Sequence, residues 1–140
     1  MEKPGAMVLK KVELPLHAQE DVVTVRQSTR SLAVEIGFSI IDQTKIVTAA
    51  SELARNTVIH GRGGTAILEI LNEGARRGLR LTFEDTGPGI ADVERAMQDG
   101  YTTGTGLGLG LGGAKRLSSE FSIESKAGAG TRVTVVRWKA

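Results

Sequence analysis

Asp85-Thr86-Gly87-Pro88-Gly89-Ile90 closes a run, Leu79 to Asp85, in which Leu79, Leu81 and Phe83 alternate with Arg80, Thr82 and Glu84. A period of two marks a strand with one covered face and one wet face. The same alternation puts Asp85 on the covered side, where a carboxylate is costly without a donor. Pro88 between two glycines then turns the chain. A strand that delivers an acid to the edge of the core and stops abruptly suits a binding turn, although a plain turn has the same composition.

Outward from this point the chain alternates strands and helices. Thr65 to Leu71 reads as the partner strand, joined by a polar turn over Asn72 to Gly78. A terminal hairpin follows from Glu120 to Ser125, the turn Ala127-Gly128-Ala129-Gly130, and Thr131 to Trp138. Towards the N-terminus, Val8, Val12, Leu14 and Leu16 give a first strand over Val8 to Leu16. Val22, Val25, Leu32, Ala33 and Ile36 then recur at helical spacing from Asp21 until Gly37. A second helix is expected from Asp42, as N-cap, to Gly61, with Ile46, Val47, Ala50, Leu53, Ala54 and Thr57 on one stripe. A short helical segment is expected over Ala91 to Gln98, and a further helix over Leu111 to Ser119. The prediction is an α/β two-layer sandwich with a mixed, mostly antiparallel sheet and its helices on one face. Residues 1–7 are expected to be a flexible N-terminus and residues 8–140 a single domain.

Composition narrows the function. Eighteen Lys and Arg against 16 Asp and Glu leave a formal charge of +2, too little clustered charge for nucleic acid to be a main partner. Without cysteine there is no disulfide, thiolate nucleophile or thiolate metal site, and His17 and His60 are too few for a histidine-rich one. A cytoplasmic protein with no membrane partner is expected, since no signal-like or membrane-spanning apolar run occurs.

Seven of the 18 glycines fall between Gly100 and Gly113, interleaved with leucines and running into a helix. A mobile linker is the bland reading, but helix N–H groups behind such a loop suit a phosphate chain. Gly108-Leu-Gly110-Leu-Gly112-Gly113 matches a dinucleotide pattern by accident, because no apolar strand precedes it and too little chain follows for a βαβ unit. No Gly-Lys pair exists, which excludes a P-loop. Glu52 and Asn56, four apart, share a face of the second helix and can address one ligand, or can be a solvated edge.

Four segments taken in order resemble the GHKL (Bergerat-fold) superfamily. Ser51-Glu52-Leu53-Ala54-Arg55-Asn56 with Ile59-His60-Gly61 resembles its N box, and Asp85 to Ile90 its adenine box. Gly106-Leu107-Gly108-Leu109-Gly110-Leu111 is similar to its second glycine box, and Gly128-Ala129-Gly130-Thr131 to the terminal one. The resemblance implies ATP or ADP as ligand with Mg²⁺, Asn56 as metal ligand and Glu52 as general base for an attacking hydroxyl. It further implies that Asp85 accepts from the adenine amino group, with Gly87, Gly89 and Ile90 beneath the base and Thr131 helping to hold the aspartate through water. Gly104, Thr105, Gly106, Leu107, Gly108, Leu109 and Gly110 would line the phosphates.

Within the superfamily the chain lacks the large added domains of topoisomerase, mismatch-repair and chaperone ATPases and the acceptor histidine of sensor kinases. It is most similar to the anti-sigma-factor-like serine kinases, and within these to the stressosome switch-kinase family, through Glu84 to Ile90, Met97 to Tyr101, Gly112 to Leu117 and Val136 to Trp138. The resemblance implies transfer to serine or threonine of a STAS-domain protein and, on release, activation of a PP2C-type phosphatase. An anti-sigma factor that sequesters a sigma factor and a nucleotide-gated adaptor without transfer stay open as alternatives. One departure is visible: no basic residue lies between Arg95 and Lys115 to reach a γ-phosphate, so Mg²⁺, backbone N–H groups, Lys115 or a partner residue must serve. His60 is expected to complement a helix C-terminus, Trp138 to pack the chain end, and Arg26 with Arg30 to form a docking face or a solvated one.

Overall fold

The computed structural model describes residues 6–90, 93, 97 and 110–139. Along the chain run β1 (Ala6–Leu16), α1 (Gln19–Ile36), α2 (Ile40–Ile59), β2 (Gly64–Glu73), β3 (Arg76–Asp85), α3 (Gly110–Arg116), β4 (Glu120–Lys126) and β5 (Gly130–Trp138). The five strands form one sheet in the order β1-β2-β3-β5-β4, and each pair is antiparallel. The two-layer α/β sandwich is therefore present, and the described sheet is wholly antiparallel rather than mixed.

The core follows from the alternation. Ala66, Leu68 and Ile70 of β2, Leu79, Leu81 and Phe83 of β3, and Val133 and Val135 of β5 are all buried on one face. Val22, Val25, Leu32 and Ala33 of α1 and Ile46, Ala50, Leu53 and Ala54 of α2 complete the cluster. Three alanines of α2 with no exposed surface, Ala49, Ala50 and Ala54, let its backbone lie close to its neighbours.

Helix ends carry their own chemistry. Asp21, in the first turn of α1, accepts hydrogen bonds from the His17 and Ala18 N–H groups at 2.8 and 3.1 Å. At the other end Gly37 adopts φ 96°, and its N–H donates to the Ala33 carbonyl. The N-cap of α2 is Ser39, not Asp42: its hydroxyl accepts the Asp42 N–H at 3.1 Å. Asp42 instead accepts Arg137 Nη2 at 2.7 Å, and Arg137 Nη1 donates to the Leu117 carbonyl at 2.9 Å. One guanidinium thus links the start of α2, the end of α3 and β5.

The far face of the sheet is less wet than simple alternation predicts. Leu71 and Val136 are buried there, and Glu69 pairs with Arg80 at 2.9 Å. Trp138 explains part of this. Its ring lies on Gly78, where a Cβ would come within 2.6 Å of it, Arg76 stacks 3.9 Å from its centre, and its Nε1 donates to Glu120 at 2.8 Å. The β2–β3 turn is also shorter than expected, since the paired strands extend to Glu73 and Arg76. Of the expected helix over Ala91 to Gln98 only Val93 and Met97 are described, joined by a Met97 N–H to Val93 carbonyl bond of 3.0 Å.

Candidate functional site

The site forms where the C-terminal turn of α2 meets the end of β3. His60 and Gly61 both direct their N–H groups to the Asn56 carbonyl, and the Gly63 N–H reaches the Thr57 carbonyl. Arg62 at φ 61° and Gly63 at φ 100° then reverse the chain into β2. That reversal seats Gly61 directly against the Asp85 carboxylate. A Cβ on Gly61 would fall within 2.7 Å of the Asp85 Cβ and closer still to its carboxyl group. In the sequence Gly61 reads as a helix end and as part of the N-box resemblance; its tertiary role is to make room for the acid.

Asp85 stands on the helix-facing side of β3, as the alternation indicates. Its Oδ1 accepts the Gly87 N–H at 2.9 Å. An ionised carboxylate has about four acceptor positions, so capacity remains for an incoming donor. Gly87 packs on Gly61, where an added Cβ would stand 2.6 Å from the Gly61 carbonyl oxygen, and Gly89, at φ 73°, would drive one into the Lys126 carbonyl. Both glycines are thus required first by backbone packing within the protein.

A hydrogen-bonded cluster fixes the turn from the opposite side. The Ile90 N–H donates to Ser125 Oγ at 2.7 Å, Ser125 and Thr131 hydroxyls are 2.7 Å apart, and the Gly128 N–H donates to the Pro88 carbonyl at 2.7 Å. Thr131 lies opposite Asp85 in the β3–β5 register, which brings its hydroxyl to the site through Ser125. Ser125 was not singled out from sequence. Only the register Ser125 opposite Thr131 exposes it.

Glu52 and Asn56 lie one turn apart on α2, upstream of Gly61, both half-buried. The Glu52 side chain is 12% exposed, and Arg55 Nη1 donates to its Oε1 at 3.4 Å. His60 is the exposed C-cap of the helix. Gly110 opens α3 at φ 69°, whereas Gly104, Thr105, Gly106, Leu107, Gly108 and Leu109 lie outside the described residues.

A shallow recess of about 250 Å³ also opens at this end of the sheet, lined by Glu84, Asp85, Glu124, Ala129, Gly130, Thr131 and Arg132. Three carboxylates on its wall make it a poor seat for a triphosphate. The helix-facing side of Asp85, where the turn after α2 seats Gly61, suits a nucleotide better. A carboxylate acceptor at one end and an amide oxygen beside a carboxylate at the other fit a purine base and an oxygen-ligated divalent cation. No helix among the described residues is long and apolar enough to cross a membrane.

Comparison with known proteins gives the family. Residues 41–140 match the family model described as Histidine kinase-, DNA gyrase B-, and HSP90-like ATPase. The chain is 46% identical over 119 residues to the serine/threonine-protein kinase RsbT of Bacillus subtilis, covering 84% of this chain and 89% of that one. It is 35% identical over 116 residues to the anti-sigma F factor of Geobacillus stearothermophilus, covering 77% of each. In fold it is similar to the crystal structure of the RsbU and RsbW domains of a Mycobacterium tuberculosis protein, with a TM-score of 0.66 and 24% identity. That match covers 94% of this chain but spans only 33% of the other, so it speaks for the fold alone. With motifs, fold and similarity in agreement, the chain belongs to the histidine kinase-, DNA gyrase B- and HSP90-like (GHKL) ATPase family.

Proposed function

We propose that this chain is an ATP- and Mg²⁺-dependent protein-serine/threonine kinase of a bacterial partner-switching pathway, acting on a STAS-domain protein. The observation that carries the reading is the layout of α2. One helix presents Glu52 and Asn56 and then ends in the turn that seats Gly61 on Asp85. The 46% identity to a protein-serine/threonine kinase over most of the chain supports it.

Each residue then has a definite task. Asp85 accepts from the exocyclic amino group of adenine, with the Gly87 N–H bond keeping its carboxylate oriented. Asn56 offers its side-chain oxygen to Mg²⁺, an ion that takes one or two protein oxygens and fills its shell with water and phosphate. When bound, Mg²⁺ neutralises charge on the phosphates during transfer. Glu52 takes the proton of the acceptor hydroxyl as its oxygen bonds to phosphorus and ADP departs. Lys115, at the exposed side of α3, is the first cation after the glycine stretch and is available to the γ-phosphate or to a partner.

The test is to mix the protein with Mg²⁺, labelled ATP and the STAS-domain proteins encoded beside it. Label on a serine or threonine is the expected result; ATP binding without transfer to any of them would leave the nucleotide-gated adaptor. A second reading, an anti-sigma factor, draws on relatives such as the 35% identical anti-sigma F factor. Co-purification with a sigma factor would favour it, and release of a PP2C-type phosphatase activator on phosphorylation of the STAS protein would favour the switch kinase.

A further inference from the structure

Arg55 has no role in the scheme above, yet its guanidinium is bonded to the proposed base. We propose that Arg55 is the positioning residue for Glu52: it holds Oε1 and thereby directs Oε2 towards the acceptor hydroxyl. The inference rests on the kinase reading.

An i,i+3 ion pair on a helix contributes only a few tenths of a kcal/mol, so stability is a weak reason for it. Burial differs sharply between the partners. Glu52 is 12% exposed and Arg55 38%, so the carboxylate is the more desolvated partner of the pair. A carboxylate so placed needs a donor, and Arg55 supplies one.

Geometry supplies the second step. Along α2, Arg55 and Asn56 flank Glu52 on opposite sides, being three and four residues further on. The Arg55 contact reaches one oxygen at 3.4 Å, at the long limit of a hydrogen bond, which orients the carboxylate without occupying it fully. A flexible glutamate must bring one oxygen within about 2.6–3.2 Å of the hydroxyl to act as base. Arginine is suited to the task because it stays protonated and cannot take the proton itself.

The test compares Arg55→Met, which keeps the stem and removes the charge, with Arg55→Lys and with each change combined with Glu52→Gln. The readouts are calorimetric ATP and ADP affinity, and steady-state transfer to the STAS-domain protein that the wild-type chain phosphorylates. Arg55→Met is expected to lower kcat about tenfold, a fraction of what the base contributes, with KM for ATP and both affinities unchanged. Arg55→Lys should recover part of that loss, and Arg55→Met should cost nothing further in the Glu52→Gln background. An unchanged kcat in Arg55→Met would overturn the proposal, as would an additive loss in the double variant. A selective fall in ATP affinity relative to ADP would also overturn it, by showing that Arg55 meets the γ-phosphate. Absence of transfer by the wild-type chain to every STAS protein tried would sink the kinase reading and this inference with it.

Discussion

The two ends of the candidate site are built in opposite ways. Around Asp85, backbone meets backbone: Gly61 lies on its carboxylate, Gly87 on Gly61, and Gly130, at φ 89°, on the Asp85 carbonyl. Ser125, Thr131 and Ile90 tie the same turn down through hydrogen bonds near 2.7 Å. Around Glu52 and Asn56 there is one helix edge, half-exposed, with a single 3.4 Å ion pair at Glu52. The packed end leaves no space for a change of side chain, so binding and folding are coupled there. The helix edge is made of side chains rather than close backbone contacts, so chemistry can change there while the fold stays.

The sharpest way to break this comparison is at the carboxylate itself. In the proposed binding mode Asp85→Asn would replace part of an acceptor by a donor facing the adenine amino group, leaving a desolvated polar group mispaired. ATP affinity measured by calorimetry should fall on the order of a hundredfold, equivalent to about 2–3 kcal/mol. Unchanged affinity would remove Asp85 from the site and dissolve the distinction between the two ends.

Gly61→Ala probes the packing alone. The added methyl must displace Asp85 or the turn after α2, and overpacking of this kind costs about 1–3 kcal/mol. Denaturant unfolding should show that loss without any ligand, and ATP affinity should weaken in the same variant. A fully stable Gly61→Ala protein that binds ATP normally would mean the turn is as adaptable as the helix edge.

The smallest effect belongs to the strut outside both regions. The Arg137 guanidinium beside Asp42 holds its carboxyl below the ordinary carboxylate value, against a desolvation that pushes it up. A depressed folded value means that this stabilisation is present above the unfolded carboxylate value and is lost as pH falls through the folded one. Asp42→Asn should therefore cost about 1 kcal/mol at neutral pH and flatten the acid limb of stability below about pH 5. Urea midpoints at pH 7 and at about pH 2, below the ordinary carboxylate value, check this: an equal loss of stability on acidification in both proteins would deny the pair any folding role.

How much of this was legible in the chain depends on whether the cause is local. The period of two in Leu79 to Asp85 predicts both the buried face of β3 and the side on which Asp85 stands, because side-chain alternation is a property of the strand alone. The helix stripes and the Gly37 stop are local in the same sense. Ser39 was passed over as the cap because Asp42 is an equally good capping type, and α2 opens with Ile40 and Ile41, 73% and 67% exposed, which break the expected pattern. The packing of Gly61 on Asp85 and the part played by Ser125 are hidden in the sequence for another reason. Their roles arise only when the end of α2 meets β3 and when β4 pairs with β5, contacts between segments far apart in the chain. Burial on the far sheet face was hidden likewise, since Trp138 reaches Gly78 only through the β3–β5 register.

In the proposed scheme base recognition lies at the packed end, and metal binding and proton transfer lie at the helix edge. Glu52→Gln tests it most directly, because glutamine keeps the size and hydrogen bonding of the side chain but cannot accept the hydroxyl proton. Phosphoryl transfer to the proposed STAS-domain substrate and calorimetric ATP affinity are measured on the same preparation, with Asn56→Ala alongside. Transfer by Glu52→Gln should fall about a hundredfold or more while ATP affinity is retained, whereas Asn56→Ala should lose transfer and the Mg²⁺-dependent part of affinity together. Transfer by Glu52→Gln at the wild-type rate would contradict the assignment of chemistry to this edge of α2.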